Sequence, residues 1–354
     1  LMVWRMDVCL LTGRKWPAIE AGALHGLSAL AGHPSLVITN GLFLGLWIVG
    51  RTMTLASEQV NSTEAPYRSR VCARLPNAVV GLALFLVCSS LVLLPAYASF
   101  FYDGAGFSDR AGELERSYAI SNHALPVKAL ATMASPYIPV LGIDNPNLWK
   151  GTWPFLVGTY AGCIIPAFAI LAVMLRPKKG FSWWLFGCGL LFIGFAMGSE
   201  LPLRGWLYDL CPPTRYFRHT SFMRAYFLFS MAVLALVGSK ELAETASQTR
   251  AWRLFFVSAL ATSLLACAGY VLIVGSVSHL SEHVGIATIH FVFVWGCVPV
   301  LAALAWKGSE RFRESIVPPL IIVVVLIDCA CSFWLSGPLM YADGDTVRTL
   351  AAQR

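Results

Sequence analysis

Residues 211–239 read CPPTRYFRHTSFMRAYFLFSMAVLALVGS, and the second half of this stretch decides the fold class. Between 222 and 239 the only charged residue is Arg224. An apolar helix of about 20 residues spans the hydrocarbon core of a bilayer. Arg215 and Arg218 lie just before this helix, after a Pro-Pro pair. The stretch therefore predicts a membrane-spanning helix that follows a basic, non-helical segment.

Apolar runs of this kind recur along the whole chain. Of its 354 residues, 57% are hydrophobic and 13% are charged, whereas soluble domains have about 25% charged residues. A transmembrane β-barrel would show alternating segments of about ten residues, and no such pattern occurs. We predict an all-α, polytopic transmembrane helical bundle. The apolar segments are 1–11, 18–31, 35–50, 77–98, 153–175, 181–198, 222–239, 254–277, 286–306 and 315–335.

The two ends of the chain lie close to predicted spans. We assign residues 1–335 to one transmembrane domain and residues 336–354 to the start of a C-terminal segment outside the membrane. The chain opens on LMVWRMDVCL, which has neither an initiator methionine at position 1 nor the pattern of a signal peptide. We expect a chain that begins within a span and is incomplete at both ends.

Lysine and arginine residues predict the orientation of the bundle. If the spans alternate, most basic loops fall on one side, which is predicted to be the cytoplasm. Residues 99–152, residues 199–221 and the C-terminus then lie on the outer side. Residues 199–221 are the exception to the rule, because they carry arginines on the outer side. The basic residues of the cytoplasmic side include Arg14, Lys15, Arg51, Arg68, Arg70, Arg74, Arg176, Lys178, Lys179, Lys240, Arg250, Arg253, Lys307, Arg311 and Arg313.

The arginines in and after this outer loop have two interpretations. In the first, they snorkel to the membrane interface or pair with Glu200 and Asp209 of the same loop. In the second, they form an anion site, because guanidinium groups bind phosphate through two parallel hydrogen bonds and a helix N-terminus adds the positive end of its dipole. The arginines concerned are Arg204, Arg215, Arg218 and Arg224.

The longest connection, residues 99–152, supplies the candidate acid–base groups. Loops longer than about 15 residues in compact proteins are usually functional. Its carboxylates Asp103, Asp109 and Glu113 are the candidate catalytic groups, although each also fits a solvated surface charge. Residues 125–138 have a helical pattern that is apolar on one side, and we expect them to lie flat at the membrane surface.

Three further polar residues are singled out by their positions. His33 belongs to the Gly-His-Pro turn between the second and third apolar segments, and His219 lies among the arginines. Asp328 lies two-thirds along the last apolar segment. A carboxylate within a span is a functional candidate by default, and a bond from Asp328 to a neighbouring helix is the alternative.

Several classes of function are not favoured. The net charge of +7 follows from the basic loops that set orientation, so we predict no nucleic-acid partner. No CxxC pair, His-rich metal motif, phosphate loop or Ser–His–Asp signature occurs, and we predict no metal ligands from the residues themselves. Transporters have inverted repeats with broken helices, and no internal repeat relates residues 18–98 to 222–335.

The order of short motifs resembles that of the YfhO-type bacterial membrane proteins, which belong with the GT-C glycosyltransferases. The resemblance runs over nearly the whole chain and ends on Asp328, which is similar to an acidic residue near the end of that family's last conserved span. The stretches that carry it are ALAGHPSL (29–36), LVLLPAYASF (91–100), ALATMASPYI (129–138), WPFLVGTYAGCIIPAFAIL (153–171) and LPLRGWLYDLCPPTRYFRHTSFMRAYFLFSMAVLALVGS (201–239).

The resemblance implies a GT-C-like fold and the transfer of a sugar from a polyprenyl-phosphate donor to an envelope glycan or lipid. The reaction would take place on the outer face of the bacterial cytoplasmic membrane, with membrane lipids around the bundle. Arg215 and Arg218 would hold the donor phosphate, with Arg224 behind them. A non-catalytic scaffold, or a lipid or glycan carrier, is the alternative function.

Two departures from the family pattern are visible. The family's catalytic Asp or Glu follows its first span, which would precede Leu1. Thr220 stands where the family's Phe-Arg motif has proline, so the geometry of this loop is expected to differ. A divalent metal is implied by the resemblance alone.

Overall fold

The computed structural model describes residues 1–28, 34–58, 67–102, 113–175, 180–277 and 284–336. All regular structure within these ranges is helical, which confirms the predicted all-α class. The α-helices are α1 (Met2–Thr12), α2 (Trp16–Leu27), α3 (Pro34–Glu58), α4 (Tyr67–Tyr102), α5 (Arg116–Ser121), α6 (Leu141–Asp144), α7 (Pro154–Val157), α8 (Ile164–Leu175), α9 (Gly180–Ala196), α10 (Leu203–Leu210), α11 (Arg224–Glu244), α12 (Thr249–Val274), α13 (Val284–Lys307), α14 (Glu310–Ser315) and α15 (Val317–Leu335).

Six stretches within the described residues are helical, long and apolar enough to cross a bilayer. They lie in α3, α4, α11, α12, α13 and α14–α15, and each has 20 to 26 residues. Helices α8 and α9 are apolar but shorter, with 12 and 17 residues. The chain therefore has the helices of a multi-pass membrane protein. The predicted C-terminal segment lies outside the described residues from position 337 onward.

The predicted hairpin at 18–31 and 35–50 consists of helices of unequal length. Helix α3 continues to Glu58, beyond the predicted end of its segment. It does so because Arg51 is accommodated within the bundle, where it donates hydrogen bonds of 2.5 and 3.2 Å to the carboxylate of Asp7 in α1. Helix α2 has 12 residues, about 18 Å at 1.5 Å per residue, so it is too short to cross alone.

The predicted apolar span at 153–175 is not one helix. A single turn, α7, is followed by non-helical backbone at 158–163, and α8 begins only at Ile164. Gly162 has φ +99°, a conformation that L side chains rarely adopt. The break lies among residues that the sequence predicts to be at membrane depth, so the hydrogen-bonding groups it frees need partners within the protein.

The helices pack in two groups. Helices α1 to α4 bury residues such as Met6 and Phe85, and the remaining long helices with α8 and α9 form the larger core. Small residues allow the closest helix approach in membranes. Glycines supply it here: a Cβ at Gly22 would overlap the backbone of α4, and one at Gly238 would overlap the carbonyl group of Phe168 in α8.

Residues 113–163 and 198–223 cover one end of the bundle, which we call the layered end. They form short α-helices and 3₁₀-helices between the points where α9 ends and α11 begins. Hydrogen bonds join them to the bundle: Leu125 N–H donates to Ala196 O at 2.8 Å, and Trp295 Nε1 donates to Ala134 O at 2.6 Å.

Residues 125–138 pack into the protein and do not form the expected exposed amphipathic α-helix. Most of this stretch is a 3₁₀-helix, Val127–Ala134, and Leu125, Ala129 and Tyr137 are fully buried. Its small residues allow close contact with α12, where a Cβ on Gly269 would lie 3.3 Å from the Cβ of Ala131. The expected amphipathic α-helix is therefore not formed: within residues 125–138 only Val127 and Lys128 are exposed, and most of the other side chains are covered by protein.

Candidate functional site

Arg215 lies beside Glu113 at the layered end. Arg215 Nη1 is 3.7 Å from Glu113 Oε2, and the two side chains are 31% and 51% exposed. The guanidinium also lies over the ring of Tyr208, 5.5 Å from its centroid. Of the three carboxylates predicted from sequence, Glu113 is therefore next to a predicted arginine. Asp103 and Asp109 lie outside the described residues.

Arg218 and His219 are half-buried in the same segment. Asn122 Nδ2 donates a 2.9 Å hydrogen bond to the carbonyl oxygen of Arg218. The N–H of Ser221 donates to the carbonyl oxygen of His123 at 3.3 Å. These two bonds fix the backbone of the predicted anion site against the chain that follows α5.

An aromatic cluster adjoins this segment. The ring centroid of His123 lies 4.4 Å from that of Trp153 and 4.8 Å from that of His219. Trp153 is 49% exposed and its neighbour Phe155 is 52% exposed. Exposed aromatic rings with polar neighbours are common in surfaces that bind ligands with one apolar and one polar side.

His123 occupies a constrained position in this cluster. Its φ of 47° lies in the left-handed region, which few non-glycine residues adopt. Burial lowers the pKa of His123, and a hydrogen bond with the backbone of Gly151 acts in the opposite direction. The imidazole is therefore neutral at neutral pH.

The side chain of Arg204 does not reach the protein surface. Its side chain is fully buried, and Nη2 donates a 2.8 Å hydrogen bond to the carbonyl oxygen of Thr214. The guanidinium lies over Phe217 at 5.8 Å. Burial lowers the pKa of Arg204 to about 10, so it is still protonated at neutral pH. Arg204 holds the 3₁₀-helix that contains Arg215.

Arg224 is also bonded to the backbone. Nε donates to Gly158 O at 2.7 Å, Nη2 to Phe155 O at 3.0 Å and Nη1 to Ser221 O at 3.1 Å. Two of these carbonyl groups belong to the end of α7. A cation at the C-terminal end of a helix is favourable, because the carbonyl groups there lack helical partners.

The two carboxylates predicted to neutralise the arginines have other partners. Glu200 accepts a 2.5 Å hydrogen bond from Lys150, and Asp209 accepts two, of 3.0 and 2.9 Å, from Arg116. The hydrogen bonds from Arg116 lower the pKa of Asp209. Glu200 and Asp209 are therefore hydrogen-bonded to Lys150 and Arg116, and the charge of Arg215 also lowers the pKa of Asp209.

Asp328 is the centre of a buried polar cluster. The residue is 3% exposed, and its Oδ1 accepts hydrogen bonds from Tyr160 Oη at 2.6 Å and Ser332 Oγ at 3.2 Å. His290 Nε2 lies 3.1 Å from the same oxygen. Oδ2 accepts the N–H of Cys163 at 3.0 Å. Asp328 thus bonds two other parts of the chain, α13 and the break before α8, and also Ser332 of its own helix.

The position of Asp328 accounts for its charge within an apolar helix. It lies seven residues before the end of α15, about 10 Å along the helix axis. Cys163 directly precedes α8, so the carboxylate lies at the N-terminus of that helix, where the dipole favours a negative charge. Glycine is favoured at 162 because its φ of +99° strains any L side chain, and a Cβ would also lie 3.3 Å from Oδ2.

Sequence reasoning missed two partners in this cluster. Tyr160 lies in the stretch 153–171, which carries the family resemblance, and His290 is a polar residue in the apolar run 286–306. The available signal was that His290 and Asp328 are ionisable residues in different predicted spans. Such residues often pair with one another inside a bundle. Spacing alone did not reveal that they meet.

Among the described residues, no group of three or more His, Cys, Asp or Glu side chains is arranged to hold a metal ion. His33 lies outside those residues. Comparisons with protein-family models, curated proteins and solved structures give no match to this chain. The functional assignment therefore depends on the residues of the layered end and on Asp328.

Proposed function

We propose that this chain is a GT-C-like membrane glycosyltransferase of the YfhO type. It would transfer a sugar from a polyprenyl-phosphate donor to an envelope glycan or lipid. The layered end would face the outside of the bacterial cytoplasmic membrane. The donor's polyprenyl tail would lie in the bilayer, and its phosphate would lie at the level of the helix ends.

The observation that carries the proposal is the juxtaposition of Arg215 and Glu113 at the layered end. Transfer needs a cation where charge develops on the leaving phosphate and a base that accepts the proton of the acceptor hydroxyl. Both groups are partly exposed, so a ligand can reach them. The half-buried Arg218 and the exposed rings of Trp153 and Phe155 extend this surface.

The positions of Arg204 and Arg224 favour a second candidate function. Both donate to backbone carbonyl oxygens, which is a structural use of arginine. A non-catalytic scaffold, or a lipid or glycan carrier, would need such a rigid end without a base. The two functions differ in one property, because only the enzyme forms a new glycosidic bond.

The test is an assay of sugar transfer by the purified full chain in lipid vesicles. A panel of radiolabelled polyprenyl-phosphate hexoses serves as donors, and a membrane and cell-wall extract serves as the acceptor. We expect Arg218→Ala to abolish product formation, and Arg215→Ala and Glu113→Gln to reduce it at least tenfold, while each variant still inserts and folds. Arg215→Lys should restore part of the rate, because a lysine keeps the charge but not the paired hydrogen bonds.

Lys128→Ala is the matched control, since Lys128 is an exposed basic residue of the same end. It should leave the rate unchanged. Wild-type product formation by a folded Arg218→Ala variant would contradict the anion site. If the wild-type chain binds the donor lipid but transfers no sugar to any acceptor, the carrier or scaffold function is supported instead.

A further inference from the structure

We infer that Arg224 and Asp328 are positioning residues that hold the break between α7 and α8 from its two sides. The inference reassigns Arg224, which the sequence placed behind the donor phosphate. It also gives a role to Asp328, which no phosphate contact requires. Its catalytic consequence rests on the proposed function, but its structural consequence does not.

The first step concerns the carbonyl groups that the break leaves without helical partners. Among the described residues Arg224 has no acidic partner, and it instead donates to Phe155 O and Gly158 O. Thr132 Oγ1 donates to the intervening Val157 O at 3.0 Å. Arg224 of α11 thus satisfies two carbonyl oxygens at the end of α7, and the Thr132 hydroxyl, which also lies 2.6 Å from Ala129 O, reaches a third.

The second step concerns the other side of the break. Asp328 accepts the N–H of Cys163 and the hydroxyl of Tyr160. His290 approaches the same carboxylate from α13. Asp328 therefore connects the start of α8 to α13 and α15, while Arg224 connects the end of α7 to α11.

The third step links the break to the exposed surface. Trp153 and Phe155 lie at the start of the held segment and are half-exposed. The ring of Trp153 is 5.7 Å from that of His219. The hydrogen bonds of Arg224 and Asp328 to the break therefore fix the positions of these two rings relative to the segment that contains Arg218. Loss of the hydrogen bonds of either residue would move the rings without removing any group from the exposed surface.

The structural test measures maleimide labelling of Cys163 in the full chain, in lipid vesicles, with N-ethylmaleimide. Site-by-site mass spectrometry reports each cysteine, and the denatured protein sets full reaction. Cys163 is 1% exposed, so the wild type should react slowly. We expect Asp328→Ala and Arg224→Ala to raise the rate at Cys163 at least tenfold, and Asp328→Asn and Arg224→Lys to give intermediate rates.

Cys9 and Cys188 are internal controls, because both are buried in other parts of the bundle. They should stay protected in every variant that folds. If an alanine variant exposes them as well, the variant has lost more than the local structure. The Tyr160→Phe variant then tests the inference, since it removes only the hydroxyl that bonds Asp328. Tyr270→Phe is its matched control, because the Tyr270 hydroxyl lies 2.9 Å from the Thr288 hydroxyl elsewhere. If Cys163 is labelled at the same rate in Tyr160→Phe as in Tyr270→Phe, the inference is overturned.

The kinetic test uses the transfer assay. Displacing groups by about 1 Å can cost on the order of 100-fold in rate, so Arg224→Lys and Asp328→Asn should lower kcat at least tenfold with the donor KM changed less than threefold. A large rise in donor KM for Arg224→Lys would show that Arg224 binds the donor, and would overturn its positioning role. If the wild-type chain transfers no sugar, the proposed function is contradicted. The labelling result still tests whether Arg224 and Asp328 hold the break.

Discussion

At the residue scale, predicted arginines of the layered end donate to backbone carbonyl oxygens. Arg204, Arg215 and Arg224 each bond at least one such oxygen. Short 3₁₀-helices and broken helices leave carbonyl groups without regular partners, and a guanidinium has five donors with which to meet them. The excess of arginine at the layered end is therefore partly a requirement of its irregular backbone.

His123 carries a prediction about pH. Burial lowers its pKa, so between the folded and unfolded pKa values the unfolded chain binds more protons, and stability rises with pH. The stabilising contribution is fully present above the unfolded pKa of about 6.5. It is lost as the pH falls through the lower, folded pKa. Thermal unfolding in detergent should show a midpoint that decreases as the pH falls below about 6.5.

His123→Asn is the appropriate comparison, because asparagine tolerates the left-handed conformation and does not titrate. Its midpoint should decrease less than that of the wild type over the same interval. Parallel curves for the two proteins would mean that His123 does not contribute to the acid sensitivity.

At the element scale, the broken span is the main difference between expectation and structure. The apolar pattern of residues 153–175 predicts a single crossing, and no local rule requires a break at that depth. The positive φ of Gly162 permits the break, but Arg224 and Asp328, 66 and 165 residues away from their bonded partners, make it stable. The residues that decide this element are therefore distant in sequence.

Gly238 allows a prediction about helix packing. A Cβ there would overlap the carbonyl group of Phe168, so Gly238→Ala requires α8 and α11 to separate. Overpacking of this kind typically costs about 1–3 kcal/mol, and thermal unfolding should show a clear decrease in the midpoint. Gly296→Ala in α13 is the matched control, since no atom lies within 4 Å of its Cβ position. Equal midpoints for the two variants would contradict the close approach.

At the scale of the whole molecule, the layered end and the basic loops lie at opposite ends of the long helices. Loops such as those around Lys240 and Lys307 carry most of the lysine and arginine residues of the described second half. Cytoplasmic loops are enriched in these residues. We therefore expect the layered end to face outward.

Cysteine labelling in intact cells tests this orientation. Ser121→Cys places an exposed thiol at the layered end, and Ser247→Cys places one at the opposite end. A membrane-impermeant maleimide should label the first and not the second, beyond the labelling of the parent chain. Both thiols should react after the cells are opened. If only Ser247→Cys is labelled in intact cells, the orientation is the opposite of the one expected.

The amino-acid sequence by itself determined the class of the molecule. Long apolar runs and a low share of charged residues require a helical membrane bundle, because every backbone group in a bilayer needs an internal partner. The sequence also drew attention to Asp328 and to the arginines before α11. These signals are local, since each depends on residue type within a short window.

Only the tertiary structure decided what those charged residues contact. It buried Arg204, joined Arg224 to the end of α7, brought Glu113 to Arg215, and placed His290 and Tyr160 around Asp328. The physical reason is that a buried charge or an unpaired backbone group takes whichever partner the packed helices bring within hydrogen-bonding distance. That partner is set by the packing of the whole bundle, not by spacing along the chain.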